Sequence, residues 1–182
     1  MPHAGEQLII VTGGPGAGKT TLLNALARAG FPTAEEVGRA IIKDQVAISG
    51  RALPWADPML YAEMMLSWEI GSYRKRVGGE ELCFFDRGIP DVMGYLRLLG
   101  LPVPAHMRNA AEMFRYHRRV FIAPPWPEIF AQDEERKQTI EEAAQTRDAL
   151  AATYAELGYE LVEIPRCTVE ARLSFVVDLV SG

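Results

Sequence analysis

Apolar positions fall into short unbroken runs, and between the runs they recur at helical spacing. Residues 8–11 are an aliphatic run that ends in a glycine cluster, the pattern of a strand covered on both faces. Residues 20–29 place Leu22, Leu23 and Leu26 on one helical face, and Gly30 stops the helix. A short strand over 31–34 and a helix over 37–48, with Ile41, Ile42 and Val46 at helical spacing, follow. Asp57 and Pro58 open the next helix: a carboxylate for the N-cap, then the residue pre-set for the first helical position. Behind them Tyr61, Met64, Met65 and Trp68 form a stripe read as core rather than ligand pocket.

The alternation continues with a strand over 82–85, helices over 90–99 and 105–116, and a strand over 120–123. A long helix is expected over 133–157, a fifth strand over 160–164, and a last helix capped by Thr168 with Val169, Leu173, Val176 and Val180 inward. Strands alternating with helices predict an α/β fold: a parallel sheet of about five strands with helices on both faces. With 182 residues, 48% hydrophobic, and no linker or repeat, the economical reading is one domain over 1–182.

Charge narrows the function. The net charge of −5 and a pI near 5.3 disfavour general nucleic-acid binding. The densest basic run, Arg115, His117, Arg118 and Arg119, reads as a solvated helix end before an acceptor-phosphate patch. Cys83 and Cys167 lack metal-ligand spacing and read as reduced and structural. No signal-peptide pattern and no run of about 20 apolar residues occurs, so the cytoplasm is the expected compartment, with no membrane partner.

The chemistry begins at GGPGAGKTT, residues 13–21, which contains G-x-x-x-x-G-K-[ST] between a strand and a helix. Glycines let the backbone approach a ligand closely, so that successive N–H groups and the helix N-terminus face phosphates. The nucleotide-binding set is therefore Gly13, Gly14, Pro15, Gly16, Ala17, Gly18, Lys19, Thr20 and Thr21. Lys19 would reach the β- and γ-phosphates, and Thr20 would offer its hydroxyl to Mg²⁺. No N/T-K-x-D guanine-reading segment is present, which makes ATP the expected nucleotide.

Three further segments are candidates for the reaction. FFDRG ends a strand at Asp86, where open parallel sheets bind ligands, so Asp86 would hold Mg²⁺ or orient an acceptor hydroxyl. Its bland alternative is the N-cap of the helix at Pro90. Arg87 would clamp an anionic group. In AEEVGR, Glu36 is the candidate proton acceptor, with Arg39 one turn on; for Arg39 an ion pair with a neighbouring carboxylate competes with substrate contact. The segment PPWPEIFAQDEERKQT, within a lid over about 124–140, has a proline-forced non-helical start and offers Arg136 and Lys137 to the transferring phosphoryl group, against a solvated helix face. Trp126 reads as an anchor for that segment rather than a base-stacking residue.

Together these segments resemble the small P-loop proteins described as AAA-type ATPases or predicted kinases, over nearly the whole chain. They are similar to the nicotinamide-riboside kinase domain of bacterial NAD-synthesis regulators and, more distantly, to thymidylate and deoxynucleoside kinases. The riboside kinase has Trp-Glu-Tyr-Gly-Arg where this chain has Glu-Glu-Val-Gly-Arg, which matches Glu36 and Arg39, and an aspartate matching Asp86. Thymidylate kinases carry Asp-Arg at Asp86 and Arg87. The riboside kinase lacks a counterpart of Arg87 and words its lid differently from DEERK. The resemblance implies a three-layer P-loop NTPase sandwich with a lid.

The resulting expectation is Mg·ATP-dependent phosphoryl transfer to a small-molecule hydroxyl or phosphate acceptor, with Lys19, Glu36, Asp86 and Arg136 catalytic. Glu36, Arg39, Asp86 and Arg87 would surround the acceptor in one cleft; whether Glu36 or Asp86 is the base stays open. The alternative is an ATP-hydrolysing switch acting on a protein partner. A nucleic-acid-end kinase is a third class, and a homodimer is left open.

Overall fold

Every residue of the first aliphatic run is buried, because successive side chains enter two different packed layers. The computed structural model describes residues 4–130 and 139–181. Strand β1 (Leu8–Gly13) sends Leu8 and Ile10 to one face and Ile9 and Val11 to the other. β3 (Cys83–Asp86) does the same with Phe85 and Phe84, and β4 (Arg119–Ala123) with Val120 and Phe121. Burying each such large side chain contributes roughly 1.5–3 kcal/mol.

With β2 (Thr33–Ala34) and β5 (Glu160–Glu163), the sheet has the order β2-β3-β1-β4-β5 and is parallel throughout. Helices α1 (Lys19–Arg28) and α8 (Val169–Ser181) cover the Ile9 face. The Leu8 face carries α3 (Pro58–Arg76), α4 (Ile89–Leu98), α5 (Ala105–Met113) and α7 (Ile140–Glu156). Helix α2 (Val37–Ala47) packs on α3 through Val37, Ile41 and Tyr61. This is the three-layer α/β sandwich of P-loop NTPases. No helix among the described residues is long and apolar enough to cross a membrane.

Local chemistry sets the boundaries. Asp57 caps α3 by accepting from Leu60 N at 3.0 Å, with Pro58 behind it as expected. The helix expected over 105–116 ends at Met113, because Tyr116 is needed in the core, where it is fully buried. Helix α7 starts at Ile140, where Thr139 and Glu142 form a reciprocal capping box, Thr139 N to Glu142 Oε2 being 2.7 Å. The proline-rich segment starts non-helically over 124–126, as expected, and then forms a single turn, α6 (Pro127–Phe130), since proline suits a first helical position. Most of the expected lid, including Arg136 and Lys137, lies outside the described residues.

One periodicity reading is corrected. Trp68 is 39% exposed, and the inward row of α3 is Tyr61, Met65, Glu69 and Tyr73, each one helical turn from the last. A glutamate thus stands where an apolar residue was expected.

Candidate active site

The loop between β1 and α1 begins where the sheet order reverses, beside the carboxyl end of β3. Gly18 takes φ 78°, a left-handed conformation, and a Cβ there would lie 2.7 Å from Arg172 Nη1. The same Arg172 atom, reaching in from α8, donates to the Gly18 carbonyl at 3.1 Å. Gly14 passes so close to α7 that a Cβ would meet the Ala143 carbonyl at 2.6 Å. Ala17 is buried, whereas Thr20 and Thr21 open to solvent.

Lys19 is 8% exposed and donates to the Gly14 carbonyl at 3.0 Å. Burial, aided by the nearby Arg87 charge, brings its pKa down to about 8 against the opposing pull of Asp86, Glu36 and Asp91. A buried ammonium whose hydrogen bond among the described residues goes to a backbone carbonyl is poised for an anion.

Asp86 closes β3 in register with Val11. It does not cap α4: Gly88 is the N-cap there, and Asp91 accepts from its N–H at 2.9 Å. Asp86 Oδ1 is buried with no hydrogen-bond partner among the described residues, and burial raises the Asp86 pKa. An orphaned carboxylate oxygen in one cleft with the Thr20 hydroxyl suits a hard, oxygen-seeking cation such as Mg²⁺.

Arg87 bends the chain away from β3 with φ 71°, a left-handed angle that an arginine adopts at a cost. Its N–H reaches the Val11 carbonyl at 3.0 Å, while its side chain lies 3.3 Å from Asp91 Oδ1 and 3.6 Å from Glu36 Oε1. Burial opposes its charge, but Asp91, Glu36 and Asp86 outweigh burial and raise its pKa. Asp91 also accepts from the Thr12 and Tyr154 hydroxyls, so one buried carboxylate ties β1, α4 and α7 together.

Glu36 ends the β2 connection and faces inward, whereas Glu35 is exposed. Arg39 pairs with Glu36 at 3.4 Å and its side chain is 79% exposed. The four expected acceptor residues therefore do not share one cleft. Glu36, Arg39 and Asp86 line an open cleft of about 480 Å³ beside Thr20. Glu36 and Arg87 line a second cavity of about 370 Å³, walled by Tyr61, Met65, Glu69 and Tyr95. Glu36 belongs to both.

The second cavity was not anticipated from the sequence, nor were Asp91 and Glu69. Among the described residues Glu69 has no hydrogen bond or ion pair, although it is only 4% exposed. Burial first, and the Asp91 and Asp86 charges next, push its pKa well above the usual carboxylate range. The basic run 115–119 lies at the opposite end of β4, with Arg115 over the Tyr159 ring and Arg119 paired to Glu160. Trp126 anchors its segment: the Arg172 guanidinium sits 5.2 Å from its ring, and Arg166 donates to the Pro125 carbonyl at 2.7 and 3.0 Å.

Solved structures share this fold. The NadR protein in complex with NR superposes with a TM-score of 0.68 at 21% identity, over 98% of this chain and 51% of that one. The chain thus spans about half the length of NadR. Thymidylate kinase from Ehrlichia chaffeensis matches at TM-score 0.64 and 14% identity, over 98% and 100% of the two chains. Deoxyadenosine kinase from M.mycoides, with products dcmp and a flexible dcdp bound, matches at TM-score 0.64 and 13% identity, over 96% and 98%. No curated protein matches the sequence. The family model described as "AAA domain" matches residues 8–172, and the chain belongs to that family.

Proposed function

We propose that this protein transfers the γ-phosphoryl group of ATP to a hydroxyl of a small molecule. The observation that carries the reading is the double membership of Glu36. It borders the cleft that holds Thr20 and Asp86 beside the phosphate loop, and it borders the cavity of Arg87 and Glu69. A carboxylate at such a boundary can meet an acceptor hydroxyl on one side and the transferring group on the other. The fold neighbours named above include kinases of small substrates, which agrees with this reading.

The loop 13–18 and Lys19 would bind and orient the triphosphate. Mg²⁺, when bound through Thr20 and Asp86, would neutralise phosphate charge. In the step itself the acceptor oxygen bonds to the γ-phosphorus as the bridging P–O bond to ADP breaks, and the hydroxyl proton passes to Glu36. Arg87, fixed by Asp91, would hold Glu36 in position. Arg136, in the segment 124–140, would meet the transferring group as a lid residue.

The test is to incubate the protein with Mg·ATP and a panel of nucleosides, nucleoside monophosphates and riboside-like metabolites, and to search for phosphorylated products by mass spectrometry. A product with stoichiometric ADP is expected. ATP turnover that rises only with a protein partner, with no phosphorylated small molecule, would replace the kinase by a regulatory switch.

A further inference from the structure

The cavity beyond Glu36 carries more chemical information than a kinase reading uses. Its charged walls are Glu36, Glu69 and Asp91 against a single cation, Arg87, and that cation is already engaged by Asp91 and Glu36. Among the described lining residues none is a free cation for a phosphate on the acceptor. Glu69 is nine-tenths buried and presents a carboxyl with no partner. The Tyr95 hydroxyl is likewise buried without a partner among the described residues. A polar group left unpaired in an apolar site destabilises the folded chain, and a ligand that pairs with it recovers that loss.

The shape is equally restrictive. Tyr61 and Tyr95 meet edge to face at 5.5 Å, and Met65 and Leu150 complete an apolar wall. A volume of about 370 Å³ lies at the small end of the roughly 300–1,000 Å³ typical of small-molecule sites. Such a cavity suits a flat ring better than a flexible or highly charged molecule.

We propose that the acceptor is an unphosphorylated ring compound whose amino or ring N–H donates to Glu69, and that Glu69 is the specificity-determining residue. The inference rests on the kinase reading above and narrows it: a compound already carrying a phosphate would bring its charge against three carboxylates. The groups facing Glu69 are Asp91 and Arg87 at the start of α4, Asp86 of β3, Glu36 before α2, and Tyr116 beside them. Only Arg87 among these favours an ionised Glu69, so a donor from the ligand is the missing partner.

Three measurements test it. With Mg·ATP, adenosine is a better acceptor than purine riboside, which lacks the amino group, and adenosine monophosphate is not phosphorylated. Glu69→Leu raises the KM for adenosine about 10–100-fold, the effect of leaving one buried ligand donor unpaired, and abolishes the preference over purine riboside. The KM for ATP stays within about twofold. Glu69→Gln keeps the volume and removes the charge, so its Tm equals or exceeds that of the parent.

Phosphorylation of the monophosphate, an unchanged preference in Glu69→Leu, or a lower Tm in Glu69→Gln would overturn the inference while leaving the kinase reading standing. Absence of any phosphorylated product from the whole panel would remove the kinase reading, and this inference with it.

Discussion

Arg87 and Asp91 stand one helical turn apart, 3.3 Å between Nη1 and Oδ1, and both are largely removed from solvent. The pair holds a left-handed backbone turn at the end of β3 and fixes Arg87 against Glu36. Removing one partner of a buried pair leaves the other charge uncompensated. Asp91→Ala is therefore expected to destabilise the protein by about 3–5 kcal/mol, and it strips Thr12, Tyr154 and Gly88 of their acceptor as well. Urea unfolding gives the value; a change under about 1 kcal/mol would show that the network contributes little.

Lys19 gives a pH prediction. Its pKa in the free protein is about 8, below the usual lysine value, and bound phosphates would raise it again. Nucleotide binding then takes up a proton above pH 8. Affinity for Mg·ATP is expected to be flat below about pH 7.5 and to fall by up to about tenfold per pH unit above 8. Calorimetry across pH 6.5–9.5 reads this directly, and Lys19→Ala should bind weakly with no such slope. A parent affinity that rises with pH would reverse the assignment.

Asp86 and Thr20 should share one metal. Asp86→Asn leaves the volume but removes the charge, so the Mg²⁺ concentration needed for half-maximal turnover is expected to rise about tenfold or more. Because burial already raises the Asp86 pKa, the same substitution should cost little stability. Mg²⁺ titration of the variant against the parent separates the two effects; an unchanged midpoint would detach Asp86 from the metal.

Glu36→Gln tests the proton acceptor. General-base assistance is typically worth about 10²–10⁴-fold, so turnover should fall by that much while ATP affinity is retained. Turnover within about threefold of the parent would move the base to Asp86.

The centre of the sheet was legible because β1, β3 and β4 are near-continuous apolar runs and the helices are periodic. The order of the strands was less legible: β2 pairs with β3, but β1 pairs with β3 and β4 rather than with its successor β2. The phosphate loop was legible because backbone geometry forces its glycines into the sequence. Asp91 was hidden, since a carboxylate in the first turn of a helix ordinarily serves the helix dipole alone. Glu69 left a trace: a lone acid in the row Tyr61, Met65, Tyr73 breaks an apolar stripe at four-residue spacing. Trp68, one residue away, stands in the expected stripe with Tyr61, Met64 and Met65 instead. The split of the acceptor residues into two clefts depends on the direction of Arg87, set by its left-handed backbone turn, which no spacing rule supplies.

The clasp between Arg172 and Gly18 joins residues 154 positions apart. On the ribosome the phosphate loop emerges early, yet its carbonyl gains this partner only after α8 has been made. The loop's final shape is therefore a late event of biosynthesis, so that a nascent chain with β1 and α1 complete still lacks the contact that braces its phosphate cradle.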